Sequence, residues 1–334
     1  MHYKRNLSEL QDVQKNGYKV FSCFSCGSTM YKYNFDVIGT CEIDPQMDKV
    51  YRHNFNTHNF LMVQDFKNIP DNEIPQELFD IDILDGSPPC STFSMAGIRE
   101  KARKEKKFRE GQAEQILSDL FFDFLDVAKK LNPKIIVAEN VMLKGNAKYV
   151  KMVLQRFDEI YKVQLFLLNG ATMLPQRRER VFFIAHRKEF DLPKLSLTFQ
   201  DKPITFEVKS PEGKITAKYH EMVKKAKNGE RNIEAINMRI NNKSFNSVIV
   251  WDKDICPTIA ASILFRCDAT TFSDYDLSVC SYPLDYKVIK GISKRYIIMS
   301  VPPLMMHRIS KQIQIQRLDK IETKKSVSKK SYNQ

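Results

Sequence analysis

The chain has 334 residues, 43% of them hydrophobic, which suffices for a large α/β domain plus a smaller one. It has no apolar run of the roughly eighteen residues a spanning helix needs. Its start, Met1-His2-Tyr3-Lys4-Arg5-Asn6, lacks the apolar stretch of a signal peptide, so a membrane or secreted protein is not expected and a soluble, cytoplasmic one is. Seven cysteines at irregular spacing argue against a disulfide framework, and a net charge of +13 suits a polyanionic partner, although part of it lies in Lys324-Lys325 and Lys329-Lys330.

A polar lead-in precedes the first predicted strand, Val20 to Ser25, and Cys26-Gly27-Ser28-Thr29 reads as a turn into a helix that Ser or Thr can cap. Cys23 and Cys26 form a lone Cys-x-x-Cys without a second pair at zinc-site spacing, so no metal is expected. A second strand, Phe35 to Cys41, ends at Glu42-Ile43-Asp44-Pro45. This order of strand, turn, helix, strand and acid is that of nucleotide-binding folds, where the turn's amides approach the cofactor and the acid accepts from ribose hydroxyls.

Ile81 to Leu84 reads as a third strand, and Gly86-Ser87-Pro88-Pro89 can continue neither strand nor helix. The fixed φ of two prolines then holds the thiol of Cys90 on a stiff bend, which suits a nucleophile. A basic run, Ile98 to Arg109, follows without an apolar stripe. Gln112 to Lys130 reads as an amphipathic helix, because Ile116, Leu117, Leu120, Phe121, Phe124, Leu125 and Ala128 recur at three and four residues. Pro133 ends it.

Lys134 to Ala138 forms a fourth strand that delivers Glu139 at its carboxyl end, where open α/β sheets place ligands. Gly145 to Asp158 reads as a helix, Val163 to Leu168 as a strand, and Asn169-Gly170 as a hairpin-type turn. Gln176-Arg177-Arg178-Glu179-Arg180 opens the strand Val181 to Ala185. Beyond Arg187 the alternation stops, and the stretch to Tyr286 is irregular and polar, with Trp251 and the run Cys256-Pro257-Thr258-Ile259-Ala260.

Pro88-Pro89-Cys90, Glu139-Asn140-Val141 and Gln176 to Arg180, in this order and spacing, resemble the cytosine-5 DNA methyltransferase family of prokaryotic and phage type. The resemblance runs from about Val20 to Ala185 and returns at Ser300-Val301-Pro302-Pro303. It implies a Rossmann-like, S-adenosylmethionine-dependent methyltransferase domain over residues 18–187, completed by 287–320. It also implies a smaller irregular target-recognition domain over 188–286 and a disordered basic tail over 321–334. Cys90, Glu139, Arg178 and Arg180 become the expected catalytic residues: the thiolate adds to carbon 6 of cytosine, the carboxyl group meets N3 and the amino group, and the guanidinium groups hold the ring carbonyl and the cysteine turn.

S-adenosylmethionine is the cofactor the resemblance implies, with contacts at Phe21, Ser25, Gly27, Glu42, Ile43, Asp65, Phe66, Pro89 and Val301. The implied partner is double-stranded DNA bound by a monomer, alongside a companion restriction endonuclease. A stacked cytosine cannot be attacked from above its ring, so the base must be flipped out. The chain departs from the family pattern in having one glycine, Gly27, in its first turn, Ile298 where a glycine is usual, and no placeable arginine upstream of Ser300. A DNA-binding relative without turnover and an RNA cytosine-5 methyltransferase therefore stand as alternatives.

Overall fold

The computed structural model describes residues 14–24, 34–42, 45–55, 69–88, 120–141, 147–174, 176–199, 202–203, 247–250, 255, 258, 263–266, 280–283, 285–287, 289, 297 and 300–332. Their centre is a six-stranded sheet of β1 (Lys19–Cys23), β2 (Asp36–Cys41), β3 (Ile83–Gly86), β4 (Ile135–Val141), β5 (Tyr161–Asn169) and β6 (Glu179–Arg187), in the order β2-β1-β3-β4-β6-β5. The first four strands are parallel and β6 runs antiparallel to both its neighbours. This is the α/β sheet that the sequence predicts, with both faces covered as a parallel sheet requires. A separate parallel pair, β7 (Ser247–Val250) and β8 (Ile263–Arg266), lies in the stretch expected to read DNA bases.

Strand side chains alternate between faces, so near-continuous apolar strands feed two cores at once. Phe21, Leu84, Ile136, Ala138, Val181 and Phe183 point to one face. There they meet α2 (Leu120–Leu131) through Phe121, Phe124, Leu125 and Ala128, and α3 (Ala147–Phe157) through Val153 and Phe157. The stripe read from the sequence is thus the buried face of α2. Asn132, in a left-handed conformation at φ 46°, closes this helix with its N–H on the Ala128 carbonyl at 2.9 Å, and Pro133 prevents its continuation.

Val20, Ile83, Ile135, Val137, Phe182 and Ile184 point to the opposite face. They are covered from the far end of the chain, by Val301 and by Met305, Met306, Ile309 and Ile313 of α4 (Pro303–Ile313). A π-helical turn, Gln314–Leu318, joins α4 to α5 (Asp319–Tyr332) and buries Leu318 and Arg317. Arg317 donates to the Gln164 side chain at 3.1 Å, and burial draws its pKa down to about 10. The basic tail from residue 321, expected to be disordered, is helical through Tyr332. Local propensity alone did not reveal the anchors: Ile321 is buried, Glu322 pairs with Lys134, and Lys324 donates to the carbonyls of Phe190 and Asp191. A third cluster packs α1 (Pro45–Asn54) through Met47, Val50 and Tyr51 against Cys280, Tyr282, Tyr286 and Ile297.

Gly86, the last residue of β3, lets α2 approach the start of the proline bend. A Cβ there would lie 2.4 Å from Cε2 of Phe124, closer than real contacts allow. Gly86→Ala is therefore expected to destabilise the fold by about 1–3 kcal/mol through overpacking, read as a lower midpoint in urea unfolding.

Candidate active site

The carboxyl ends of β1 to β4 lie along one edge of the sheet. Because β6 is antiparallel, it brings its first residues, not its last, to that edge: Arg180 is the register partner of Val141, while Glu139 faces Phe182. In a pleated sheet Glu139 and Arg180 are then diagonal neighbours on one face. Nε of Arg180 lies 2.9 Å from Oε1 of Glu139, and the side chains are 12% and 7% exposed. The second carboxylate oxygen, Oε2, accepts from the hydroxyl of Ser87. Two of the four expected catalytic residues are thus in direct contact, across two strands adjacent in the sheet.

Ser87 opens the proline bend and stands three residues before Cys90, so chain geometry keeps the two Cα atoms within about 11 Å. Asn140 holds the same bend from β4: its amide donates to the Pro88 carbonyl at 3.4 Å, while its Oδ1 accepts from Val141 N at 2.8 Å. Glu139 and Asn140 together therefore grip Ser87 and Pro88. Sequence reading picked out Glu139 but gave no role to Ser87 or Asn140. The signal was their place inside the motifs, since a hydroxyl beside a buried carboxylate and an amide beside a buried turn carbonyl are natural partners.

Arg178 is only 1% exposed. Its Nη2 donates to the Ser300 carbonyl at 2.7 Å, tying the returning carboxyl-terminal segment to the start of β6. Burial, and after it the charge of Arg180, pulls this guanidinium down to about 10. Its backbone is fixed by the turn before it: Oδ1 of Asn169 accepts from Ala171 N and Arg178 N, and Gly170 N donates to Arg178 O. Gln176 donates to Sγ of Cys280 at 3.4 Å, and the exposed Arg177 offers its carbonyl to the hydroxyl of Thr258 at 2.7 Å. The connection to β6 is thus a braced loop, longer than the tight hairpin turn expected at Asn169-Gly170.

Toward the other side of the edge stand the residues expected to hold the cofactor. Glu42, at the end of β2, is 8% exposed, and Val301 is 8% exposed within the core that covers β1. Phe21 does not fit the expectation: its side chain is 0% exposed and packs beneath α2, because two-residue alternation turns it inward. Phe24, just beyond β1 in a left-handed conformation at φ 56° with its N–H on the Cys41 carbonyl at 2.8 Å, is only half-buried, its ring against the edge of the same cluster. Ser25, Gly27, Ile43, Asp65, Phe66, Pro89 and Cys90, and the basic run 98–109, lie outside the described residues.

Between these two halves of the edge, Asp85 of β3 pairs in register with Ser22 of β1. Burial pushes its carboxyl up to about 8, against the opposing hydrogen bond from Ser22, and its Oδ1 has no partner among the described residues. Cys23 and Cys41, also in register, share a hydrogen bond that, together with burial, raises the Cys23 thiol well above its usual range. The Cys23 thiol is thus an inert one. An acid at the end of β2, a ring at the end of β1 and an enclosed, unpartnered carboxyl oxygen on β3 fit a ligand carrying hydroxyl groups, an aromatic base and a cation, as S-adenosylmethionine does.

The raised pKa has a signed consequence. Between about pH 4 and 8 the folded chain keeps a proton on Asp85 that the unfolded chain has lost, so this group lowers stability progressively as pH rises. Asp85→Asn is expected to unfold later than the wild type at pH 9, by on the order of 1 kcal/mol, with the advantage vanishing near pH 3; thermal unfolding at the two pH values reads it.

The family model described as C-5 cytosine-specific DNA methylase matches residues 23–255 of the chain. The type II methyltransferase M.DdeI of Desulfomicrobium norvegicum is 31% identical over 201 residues, 58% of this chain and 45% of that protein. M.NgoPII of Neisseria gonorrhoeae is 32% identical over 201 residues, 56% of this chain and 54% of its own length. The chain spans about half the length of the curated relatives it matches. Among solved structures, a DNA modification methyltransferase encoded within a prophage (E. coli) superposes with a TM-score of 0.62 at 18% identity, covering 90% of this chain and 99% of its own. At that identity the likeness is one of fold.

Proposed function

Because the chain belongs to the C-5 cytosine-specific DNA methylase family, we propose that it transfers a methyl group from S-adenosylmethionine to carbon 5 of a cytosine flipped out of duplex DNA. The observation that carries this reading is the buried carboxylate of Glu139, held by Arg180 on one oxygen and by Ser87 on the other, within three residues of Cys90.

Carbon 5 of cytosine is a weak nucleophile and must be activated. The thiolate of Cys90 forms a bond to carbon 6, and the electron pair of the 5,6 double bond is displaced through the ring toward N3. Glu139 takes up a proton on meeting the base, donates it to N3 as the electron pair arrives there, and accepts from the exocyclic amino group on its other oxygen. Arg180 keeps that carboxylate oriented and offers its remaining N–H donors to the ring carbonyl, a charge-assisted contact. Carbon 5, now electron-rich, is poised to accept an electrophile. S-adenosylmethionine, when bound, supplies that electrophile as a methyl group on a cationic sulfur. Loss of the proton from carbon 5 to solvent water then lets the bond between the Cys90 sulfur and carbon 6 break, and return of the N3 proton to Glu139 restores both the aromatic ring and the thiolate. Free cysteine is mostly protonated at neutral pH, with a reference value near 8.5, and the arginines of the 176–180 segment favour its charged form.

Glu42 would hold the ribose and Phe24 would face the adenine, while Ser25, Gly27, Ile43, Asp65, Phe66, Pro89 and Val301 remain proposed contacts. The net charge of +13 favours DNA through release of its counterions, and the exposed Arg177 is a phosphate contact in this reading. Residues 188–286 would read the target sequence and the run 98–109 would close over the flipped base. The protein would act as a monomer in the cytoplasm of a prokaryotic or phage-infected cell, beside a companion endonuclease.

Bisulfite sequencing of DNA from cells expressing the chain is expected to show protected cytosines in one sequence context, and none in cells expressing Cys90→Ser. Unprotected DNA with the wild-type chain would overturn the proposal. Glu139→Gln is expected to lower the single-turnover methylation rate by about 100-fold or more while changing DNA affinity little, since the carboxyl group acts on the reacting ring. A loss confined to affinity would remove that role.

A further inference from the structure

The carboxyl group of Asp85 is surplus to the chemistry above. It sits one residue from the end of β3, on the same sheet face as Ser22, Val137 and Glu139, as two-residue alternation and the strand register require. The groups that act on it among the described residues are the hydroxyl of Ser22 and its own backbone N–H, and no cation is among them. Oδ1 is enclosed and has no hydrogen-bond partner there. A buried polar atom without a partner is costly, and an asparagine or serine would avoid the cost of an ionisable group. Such a group persists where something else completes it.

Its position says what that is. In the strand order β2-β1-β3, Glu42 and Asp85 flank the end of β1 from opposite sides, two strand spacings apart, or roughly 9–10 Å. Both carboxyl groups are near enough to raise the thiol of Cys23, the last residue of β1. An adenosyl amino acid with its ribose at Glu42 extends its tail by about that length before its amino group is reached. We propose that Asp85 is the residue of this chain that receives the α-ammonium group of the cofactor's methionine moiety, with the Ser22 hydroxyl holding the carboxylate in place. The inference rests on the methyltransferase reading and deepens it by dividing the edge into a ribose end at Glu42 and an ammonium end at Asp85.

The test is calorimetric binding of two ligands to the full chain without DNA. S-adenosylhomocysteine carries the ammonium group and 5′-methylthioadenosine lacks the whole amino-acid tail. Asp85→Asn is expected to weaken S-adenosylhomocysteine by about 10-fold or more, the scale of a lost charge-assisted bond, while methylthioadenosine changes by less than about two-fold. Equal losses for both ligands would mean that Asp85 only supports the fold of the edge, and unchanged binding of both would mean that the ammonium group lies elsewhere. Either result overturns the inference and leaves the methyltransferase reading intact. Wild-type protein that binds neither ligand overturns both. Thermal unfolding of the ligand-free variant verifies that the comparison is made on folded protein.

Discussion

One buried anion fixes the geometry of the whole edge. A carboxylate that is 5% exposed must be compensated, and Glu139 takes one partner from the neighbouring strand and one from the proline bend. Arg180 cannot reach it unless β6 runs antiparallel at the observed register, and Ser87 cannot unless β3 ends at Gly86. The carboxylate's two contacts therefore constrain the direction of one strand, the length of another and the placement of Ser87 beyond its end. The energetic asymmetry of buried charge makes the constraint strict. Removing Arg180 would leave a buried charge without its counter-ion, at about 3–5 kcal/mol, far more than an exposed pair is worth.

A second layer stands behind this one. Arg178, two residues before Arg180, lies on the same side of β6 and directs a guanidinium to the Ser300 carbonyl. Ser300 in turn shares a hydrogen bond with the Tyr282 hydroxyl and donates to the Ile297 carbonyl, and Ser281 accepts from Leu304 N. The arginine-rich segment thus faces two ways. Arg180 serves the carboxylate, Arg178 secures the segment at Ser300, and Arg177 stays on the surface with its carbonyl on Thr258.

Much of this was legible in the sequence where one residue type dictates one conformation. The run Ile135-Ile136-Val137 can only be a buried strand, two prolines can only form a bend, and the stripe of α2 can only face a core. What could not be read depends on pairing between distant segments. The antiparallel register of β4 and β6, which makes Glu139 and Arg180 neighbours, leaves no mark in either strand alone. Phe21 and Phe24 are both aromatic and both near the expected cofactor; alternation buries the first, and the left-handed backbone that leaves the second half-buried follows from tertiary context. Asp85 draws no notice in the sequence, and its meaning comes from the enclosure of its oxygen. The helical tail was missed for the same reason, since its anchors, Lys134 and the carbonyls of Phe190 and Asp191, lie far away in the chain.

The return of the chain end onto the sheet has a consequence during synthesis. Met305, Ile309, Ile313, Leu318 and Ile321 cover a face that Val20, Ile83 and Ile135 have already prepared, and Ser300 supplies the acceptor for Arg178. A nascent polypeptide still lacking these residues holds an uncovered apolar sheet and an arginine without its carbonyl, so this face of the sheet closes only once residues 300–321 have been synthesised. Until then the emerging chain is a client for chaperones.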